Sequence, residues 1–359
     1  MGVTLEEENI KFGTSKKVFY NPAMQLCRSI SSLAVGAIQE QIDVVDAFCA
    51  SGIRGIRYAK ENKNVRELTF IDIDPNAIKL VKKNALKNRL KSAFKRGNIS
   101  KMAFECEADF LEIDPFGTPS PYLLDAFRFF NRKKSAYLSV TATDVAVLCG
   151  GKVAPCMKNY HSKPLNNEFT HEIGLRIMIK KIAEVAAEFN MGIQPLVSFS
   201  DKHYLKSVLA LKRSADSAYD SLKEIGYISF CPKCGFRSFG QFPSPCQSCG
   251  LMEFAGPLWL SDIHEKKFLA RMRKLNSKRT YSDSPKIDNM LSLMENEVGM
   301  PPYYYNVHNL SRIGNSKSVL PINTIIDKIR SRGYRAFRTH FSPISIKSDA
   351  PYSALIEVL

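Results

Sequence analysis

Between residues 41 and 213 short apolar runs alternate with amphipathic segments, and no other feature constrains the fold as strongly. IDVVDAF (42–48), ELTFIDID (67–74), ADFLEID (108–114) and SAYLSVTATD (135–144) have the length and the β-branched or aromatic content of buried strands. GIRGIRYAKEN (52–62), PNAIKLVKKNALKN (75–88), YLLDAFRFFN and NEFTHEIGLRIMIKKIAEVAAEFN (167–190) read as helices, the second opening on a proline that suits a first helical position. A third short strand is expected just before Gly97. Parallel strands need a crossover, so this repetition points to a doubly wound, mostly parallel α/β sheet. IQPLVSFSD (193–201) and YLKSVLALKR (204–213) follow as a hairpin. The hairpin inserts one antiparallel strand and brings the expected sheet to seven.

Beyond Gly226 the composition shifts to Cys, Phe, Pro and Gly. A basic helical stretch, IHEKKFLARMRKLNSK, and a polar link, RTYSDSPKID, come next. The end reads as a small α+β unit, with INTIIDKIRSRG helical and YRAFRTHF and ALIEVL extended. The expected organisation is a sheet domain over 1–225, a cysteine-rich segment over 226–256 and an α+β domain over 257–359. No apolar run approaches the ~20 residues that cross a bilayer. The acidic N-terminus lacks a secretory h-region, so a cytoplasmic protein with no membrane and no obligate protein partner is expected. Lys and Arg outnumber Asp and Glu by 51 to 35, a formal charge of +16 that attracts polyanions, nucleic acid foremost.

Strand one runs into VVDAFCASGIRGIR, where Gly52 and Gly55 lie in the turn before a helix. Asp72, twenty residues beyond Gly52, stands where a doubly wound fold sets an acid for ribose hydroxyls, and Asp46 can face the same cleft. A dinucleotide pyrophosphate asks for more bare amides than this turn offers. S-adenosylmethionine fits better, because its amino-acid end brings a carboxylate that Arg28 or Arg54 can fork. Gly97-Asn98-Ile99 is placed to meet the adenine.

FLEIDPFGTP (110–119) ends strand four at the switch point of such a sheet. A plain βα turn needs no aromatic ring. Methylating an exocyclic amine requires acceptors that hold its N–H bonds and turn the lone pair toward the methyl group. Asp114 and the Pro115 carbonyl are such acceptors, and proline adds no competing donor. Phe116 can stack on an extruded base, and Gly117 admits close backbone approach.

With FYNP (19–22), SGIRGIR (51–57), TATDVAVLCG (141–150) and THFSP (339–343), this DPFG segment resembles the tRNA guanine-26 N2-dimethyltransferases along nearly the whole chain. The resemblance implies a class I methyltransferase domain, S-adenosylmethionine as donor, and N2-methyl- then N2,N2-dimethylguanosine in tRNA as product. It also implies cofactor contacts at Arg28, Arg54, Asp72, Asn98 and Ile99, and a catalytic acid at Asp114. Adenine-N6 enzymes of similar fold carry a second proline where Phe116 stands, which favours guanine.

Cys231, Cys234, Cys246 and Cys249 form a C-x2-C-x11-C-x2-C array, each pair followed by Gly. Two such knuckles suit one structural Zn²⁺ with no open position. For RNA, Arg335, Arg338, His340 and Lys347 interleave with aromatics, and strand alternation would put Arg338 and His340 on one face. Lys16, Lys17 and Tyr20 can line the entry path of the base. Two rival readings remain: another RNA or DNA base-amino methyltransferase, and a non-catalytic RNA-binding zinc protein.

Overall fold

The computed structural model describes residues 3–314 and 318–359. Seven strands form the central sheet: β1 (Ile42–Asp46), β2 (Val65–Asp72), β3 (Ala93–Arg96), β4 (Phe110–Ile113), β5 (Ser135–Ala142), β6 (Met191–Asp201) and β7 (Tyr204–Arg213). Their order across the sheet is β3-β2-β1-β4-β5-β7-β6, and β7 alone runs opposite to the other six. The expected parallel sheet with one inserted antiparallel strand is therefore present.

Register explains why the strands read as apolar runs. Val45 pairs with Leu111, Leu111 with Leu138, and Leu138 with Leu209, so one buried row crosses four strands. Both faces of the sheet are covered, as parallel pairing requires. One face packs under helices Leu123–Arg128 and Thr170–Glu188. The other packs under Gln25–Ala37, Ile53–Glu61 and Pro75–Lys87. The last of these starts as expected: Pro75 is its first residue, and Asp74 Oδ1 caps it by accepting from Asn76 N at 2.8 Å.

Strands Ile225–Phe230, Arg237–Gly240 and Glu253–Trp259 make a three-stranded antiparallel sheet. Strands Tyr305–Asn306, Ala336–Thr339 and Ser342–Ser348 make another, with helices Val307–Ile313 and Ile322–Ser331. Neither unit is walled off from the central sheet. Ile228, Trp259, Tyr304 and Ile346 share a core with Leu138 and Ile177. Helices Lys266–Asn276 and Ser284–Glu297 pack with Leu33 and Phe110 on the opposite face.

Two local expectations change, and one element was not anticipated. ALIEVL lies largely in a helix, Tyr352–Glu357, started by Pro351 and buried through Leu355, not in a strand. The link RTYSDSPKID gives way at Ser284 to a helix that buries Ile287, Met290 and Met294. A hairpin, Thr4–Glu7 with Ile10–Gly13, precedes the core and turns through Glu8 and Asn9 at φ of 48° and 68°.

Candidate active site

Strand order reverses beside β1, so the loops after β1 and β4 face each other at the C-terminal edge of the sheet. The β1 loop turns tightly: Gly52 N donates to Cys49 O at 2.6 Å, and Gly52 has φ +78°. A Cβ at Gly52 would lie 2.2 Å from Val81 Cγ2, so the turn and the helix behind it close only over glycine. Asp72, half-buried at the end of β2, ties the neighbouring loops together. Its Oδ2 accepts from Ala50 N and its Oδ1 from Asp74 N, both at 2.9 Å, while its carbonyl accepts from Gly97 N at 3.1 Å. Asn98 is exposed and caps the turn Ile99–Met102, accepting from Lys101 N at 2.9 Å. The Ile99 side chain is in the core.

Below the rim lies a charged network. Arg54 Nη2 is 2.5 Å from Asp114 Oδ2, Arg54 Nε is 3.8 Å from Glu112 Oε1, and Arg54 Nη1 donates to Ser31 Oγ at 3.3 Å. Lys206 Nζ, on β7 and fully enclosed, pairs with Glu112 and donates to Thr141 Oγ1 at 2.9 Å. Tyr58 Oη donates to Glu112 Oε2 at 2.8 Å. Burial pushes the Asp114 carboxyl up, but the charges of Arg54 and Lys206 and hydrogen bonds from Arg54 and Thr141 outweigh it. The net effect holds Asp114 below the usual carboxylate range, an anion at neutral pH. Asp46 behaves in the opposite way. It sits beneath the glycine turn, accepting from Gly55 N at 3.2 Å, and burial followed by the charge of Glu112 raises it to about 7.

The DPFG loop is held open by its neighbour. Gly117 N donates to Thr143 Oγ1 at 2.8 Å, and Thr143 N donates back to Gly117 O at 3.0 Å. Gly117 adopts φ +78°, which a β-carbon would strain. Phe116 is left 76% exposed, with the ring of Phe19, itself 55% exposed, edge-on at 4.8 Å. A large apolar ring in water beside a half-buried anion can take the flat face of a base while the anion accepts its N–H bonds. Tyr20 is half-buried: its hydroxyl donates to Glu7 at 3.1 Å and its ring lies under Arg28. Arg28 already has acceptors. Its Nε donates to Glu7 Oε1 at 2.8 Å, and both terminal nitrogens reach Asn21 O at 3.2 Å. Glu7 also binds Arg57 Nη1 at 2.9 Å, a brace between the N-terminal hairpin and the core.

The sequence reading did not find Glu112, Lys206, Thr141 or Thr143. The lysine sits in YLKSVLALKR, where strand alternation gives no sign that its ammonium is enclosed.

Elsewhere the geometry departs from expectation. Strand Ala336–Thr339 stops before His340, whose backbone N and Nδ1 lie 2.7 and 2.8 Å from the buried Glu297 Oε1. Lys347 is enclosed and paired to Glu172 Nζ-to-Oε1 at 2.5 Å. His340 and Lys347 therefore turn inward, and Arg338 and His340 do not share an exposed strand face. Arg335 is exposed but bound to Asp349 at 2.7 Å, and Arg338 bonds Asn323 at 3.0 Å. Lys16 and Lys17 are exposed.

The four cysteines converge, with their Sγ atoms all within 4.8 Å of one another and Cys234 to Cys246 at 3.5 Å. A tetrahedron of Zn–S bonds near 2.3 Å has edges of about 3.8 Å, so the cluster fits the ion. The two knuckles match in form: Gly235 N donates to Cys231 O and Gly250 N to Cys246 O, each at 2.8 Å, with both glycines at positive φ.

A family model described as "TRM: N2,N2-dimethylguanosine tRNA methyltransferase" matches residues 2–359. The chain is 34% identical over 361 residues to the tRNA (guanine(26)-N(2))-dimethyltransferase of Methanothermobacter thermautotrophicus, covering 97% of this chain and 94% of the relative. It is 34% identical over 364 residues to the enzyme of the same name from Pyrococcus abyssi, covering 95% and 92%. The structure of Trm1 from Pyrococcus horikoshii in complex with S-adenosyl-L-methionine superposes with a TM-score of 0.90 at 30% identity, covering 99% of each chain. With the family model spanning nearly every residue, the chain belongs to the N2,N2-dimethylguanosine tRNA methyltransferase family.

Proposed function

We propose that this chain transfers methyl groups from S-adenosylmethionine to the exocyclic N2 of guanosine 26 in tRNA, giving N2-methyl- and then N2,N2-dimethylguanosine. The observation that carries the reading is the Asp114 carboxylate, held anionic by Arg54 at the switch point beside the exposed ring of Phe116, in a member of this family.

S-adenosylmethionine, when bound, supplies an electrophilic methyl carbon on a sulfonium. Asp72, at the end of β2, would hold the ribose, and Asn98 with the backbone at Ile99 would meet the adenine. Arg28 is engaged by Glu7 and Asn21 and Arg54 by Asp114 and Ser31, so either guanidinium would meet the cofactor carboxylate with the donors those partners leave free. Asp46 supports the glycine turn from beneath.

The N2 lone pair of guanine is delocalised into the ring and must be turned out of conjugation to attack. Asp114 and the Pro115 carbonyl accept the N–H bonds and orient the nitrogen. A carboxylate below the usual range is a weak base, so Asp114 aims the amine more than it strips it. The C–N bond forms as the methyl carbon's bond to sulfur breaks, its electron pair staying on sulfur as a neutral thioether; the amine becomes acidic, and its proton then passes to Asp114 or to solvent. A secondary amine still offers one N–H to Asp114, which makes a second methylation possible in the same pose. Cys231, Cys234, Cys246 and Cys249 would hold Zn²⁺ with four thiolates and no open position, a structural contribution.

Incubating unmodified tRNA with the protein and methyl-labelled S-adenosylmethionine, then separating the nucleosides by mass spectrometry, tests the reading. Labelled N2,N2-dimethylguanosine at position 26 is expected. N6-methyladenosine, or unlabelled tRNA, would overturn it. Among the described residues no helix is long and apolar enough to cross a membrane.

A further inference from the structure

The helix Val153–Tyr160 takes no part in the chemistry above, yet it is tied to the catalytic loop at its C-terminal end. Ser120 Oγ donates to Asn159 O at 2.5 Å, and Thr118 Oγ1 donates to Tyr160 Oη at 2.8 Å. Tyr160 Oη in turn donates to Asp144 at 3.0 Å, in the loop after β5. Cys156 and Tyr160, one turn apart, are fully enclosed and fix the inner face. Beyond that face the helix is bare. Val153 and Met157, also one turn apart, are 45% and 47% exposed, and Lys152 and Lys158 beside them are exposed too. Neither lysine has a hydrogen-bonding or ionic partner among the described residues. A helix with one buried face ordinarily turns polar residues to water, and this one keeps an aliphatic pair there between two unpaired cations.

We propose that this helix is a docking element for tRNA and carries the nucleotides next to the target guanosine. Val153 and Met157 pack on a ribose or base face, and Lys152 and Lys158 take flanking phosphates. The proposal rests on the reading that tRNA is the substrate. A base enters the crevice only by leaving its stack, so its neighbours come to lie across the rim, and this helix is bonded to the loop that forms the rim. Charge favours nucleic acid over a protein partner: the chain carries +16, and an exposed lysine stands next to each end of the apolar pair in the sequence.

The test compares full-length wild type with Lys152→Glu/Lys158→Glu and, separately, Met157→Asp. Steady-state methylation of unmodified tRNA is measured at several salt concentrations, and S-adenosylmethionine binding by calorimetry. In the charge variant KM for tRNA is expected to rise about tenfold, with the salt slope reduced by about 1 to 2 for two lost phosphate contacts. Met157→Asp is expected to raise KM about fivefold, the lower end of a lost stacking contact. In both, kcat and S-adenosylmethionine affinity stay near wild type. An active wild type with KM and salt slope unaltered in both variants overturns the helix proposal and leaves the function standing. Loss of S-adenosylmethionine binding alongside tRNA binding also overturns it, because the helix would then merely support the loop. A wild type that leaves tRNA unmethylated sinks both.

Discussion

Lys206→Met removes the cation closest to Glu112, in a place where neither side chain reaches water. The carboxylate would keep the Tyr58 hydroxyl at 2.8 Å and Arg54 Nε at 3.8 Å, both too few and too far to replace an ammonium in contact. Removing one partner of a buried ion pair costs about 3–5 kcal/mol, because the other charge is left behind uncompensated. The remaining pull of Arg54 sets the expectation at the lower end, about 3 kcal/mol, or ~4 °C in melting temperature for a chain of this size. A second effect falls on catalysis. Lys206 helps hold Asp114 below the usual carboxylate range, so its loss favours the protonated acid. The acid limb of the kcat/KM profile then moves to higher pH. Calorimetric melting and the pH–rate profile check the two effects separately. Adding Glu112→Gln removes the orphaned charge and is expected to recover at least about 2 kcal/mol of the loss, a coupling that only neighbouring groups show. A single variant that melts like wild type, or a double variant no better than the sum of its parts, would refute the argument that this pair is a desolvated support of the site.

Three further outcomes are expected. Asp46 has a folded-state value near 7 against an ordinary 3.8, so the folded state keeps a proton that the unfolded state loses, and stability falls as pH rises across that window. Asp46→Asn is expected to raise stability at pH 8 by up to about 4 kcal/mol and to have little effect near pH 4, read by melting at a series of pH values. Chelation, or Cys234→Ser, is expected to remove one equivalent of zinc by elemental analysis and expose residues 226–256 to proteolysis, and a metal-free chain of unchanged protease resistance would contradict this. Phe116→Ala is expected to lower kcat/KM for tRNA about tenfold or more, as loss of a base-stacking ring does, while melting stays unchanged because the ring is already 76% exposed.

The sheet was legible because parallel strands covered on both faces leave contiguous apolar runs, as in IDVVD and FLEI, and because Asp74-Pro75 is a local helix start. DPFG was legible because its residue types exceed what a turn requires. What escaped depends on distant partners. Lys206 and Glu112 are 94 residues apart, and nothing in either strand says that they meet. Glu297 gathers Thr339 and His340 through the bend that ends the strand, which no alternation rule anticipates. The final helix was misread because ALIEVL has strand-like composition, although Pro351 just before Tyr352 is a local start signal that could have been used. The hairpin at Glu8-Asn9 carries a weaker sign, an asparagine in a left-handed turn.

Single-turnover methyl transfer by Asp114→Asn bears most directly on the role given to the carboxylate. The asparagine keeps one acceptor oxygen but loses the charge and gains an N–H that competes with the amine. A rate lower by about 10²–10⁴, with S-adenosylmethionine binding retained, is the expected result. Near-normal methylation by this variant, on tRNA confirmed to be unmodified, would contradict the account.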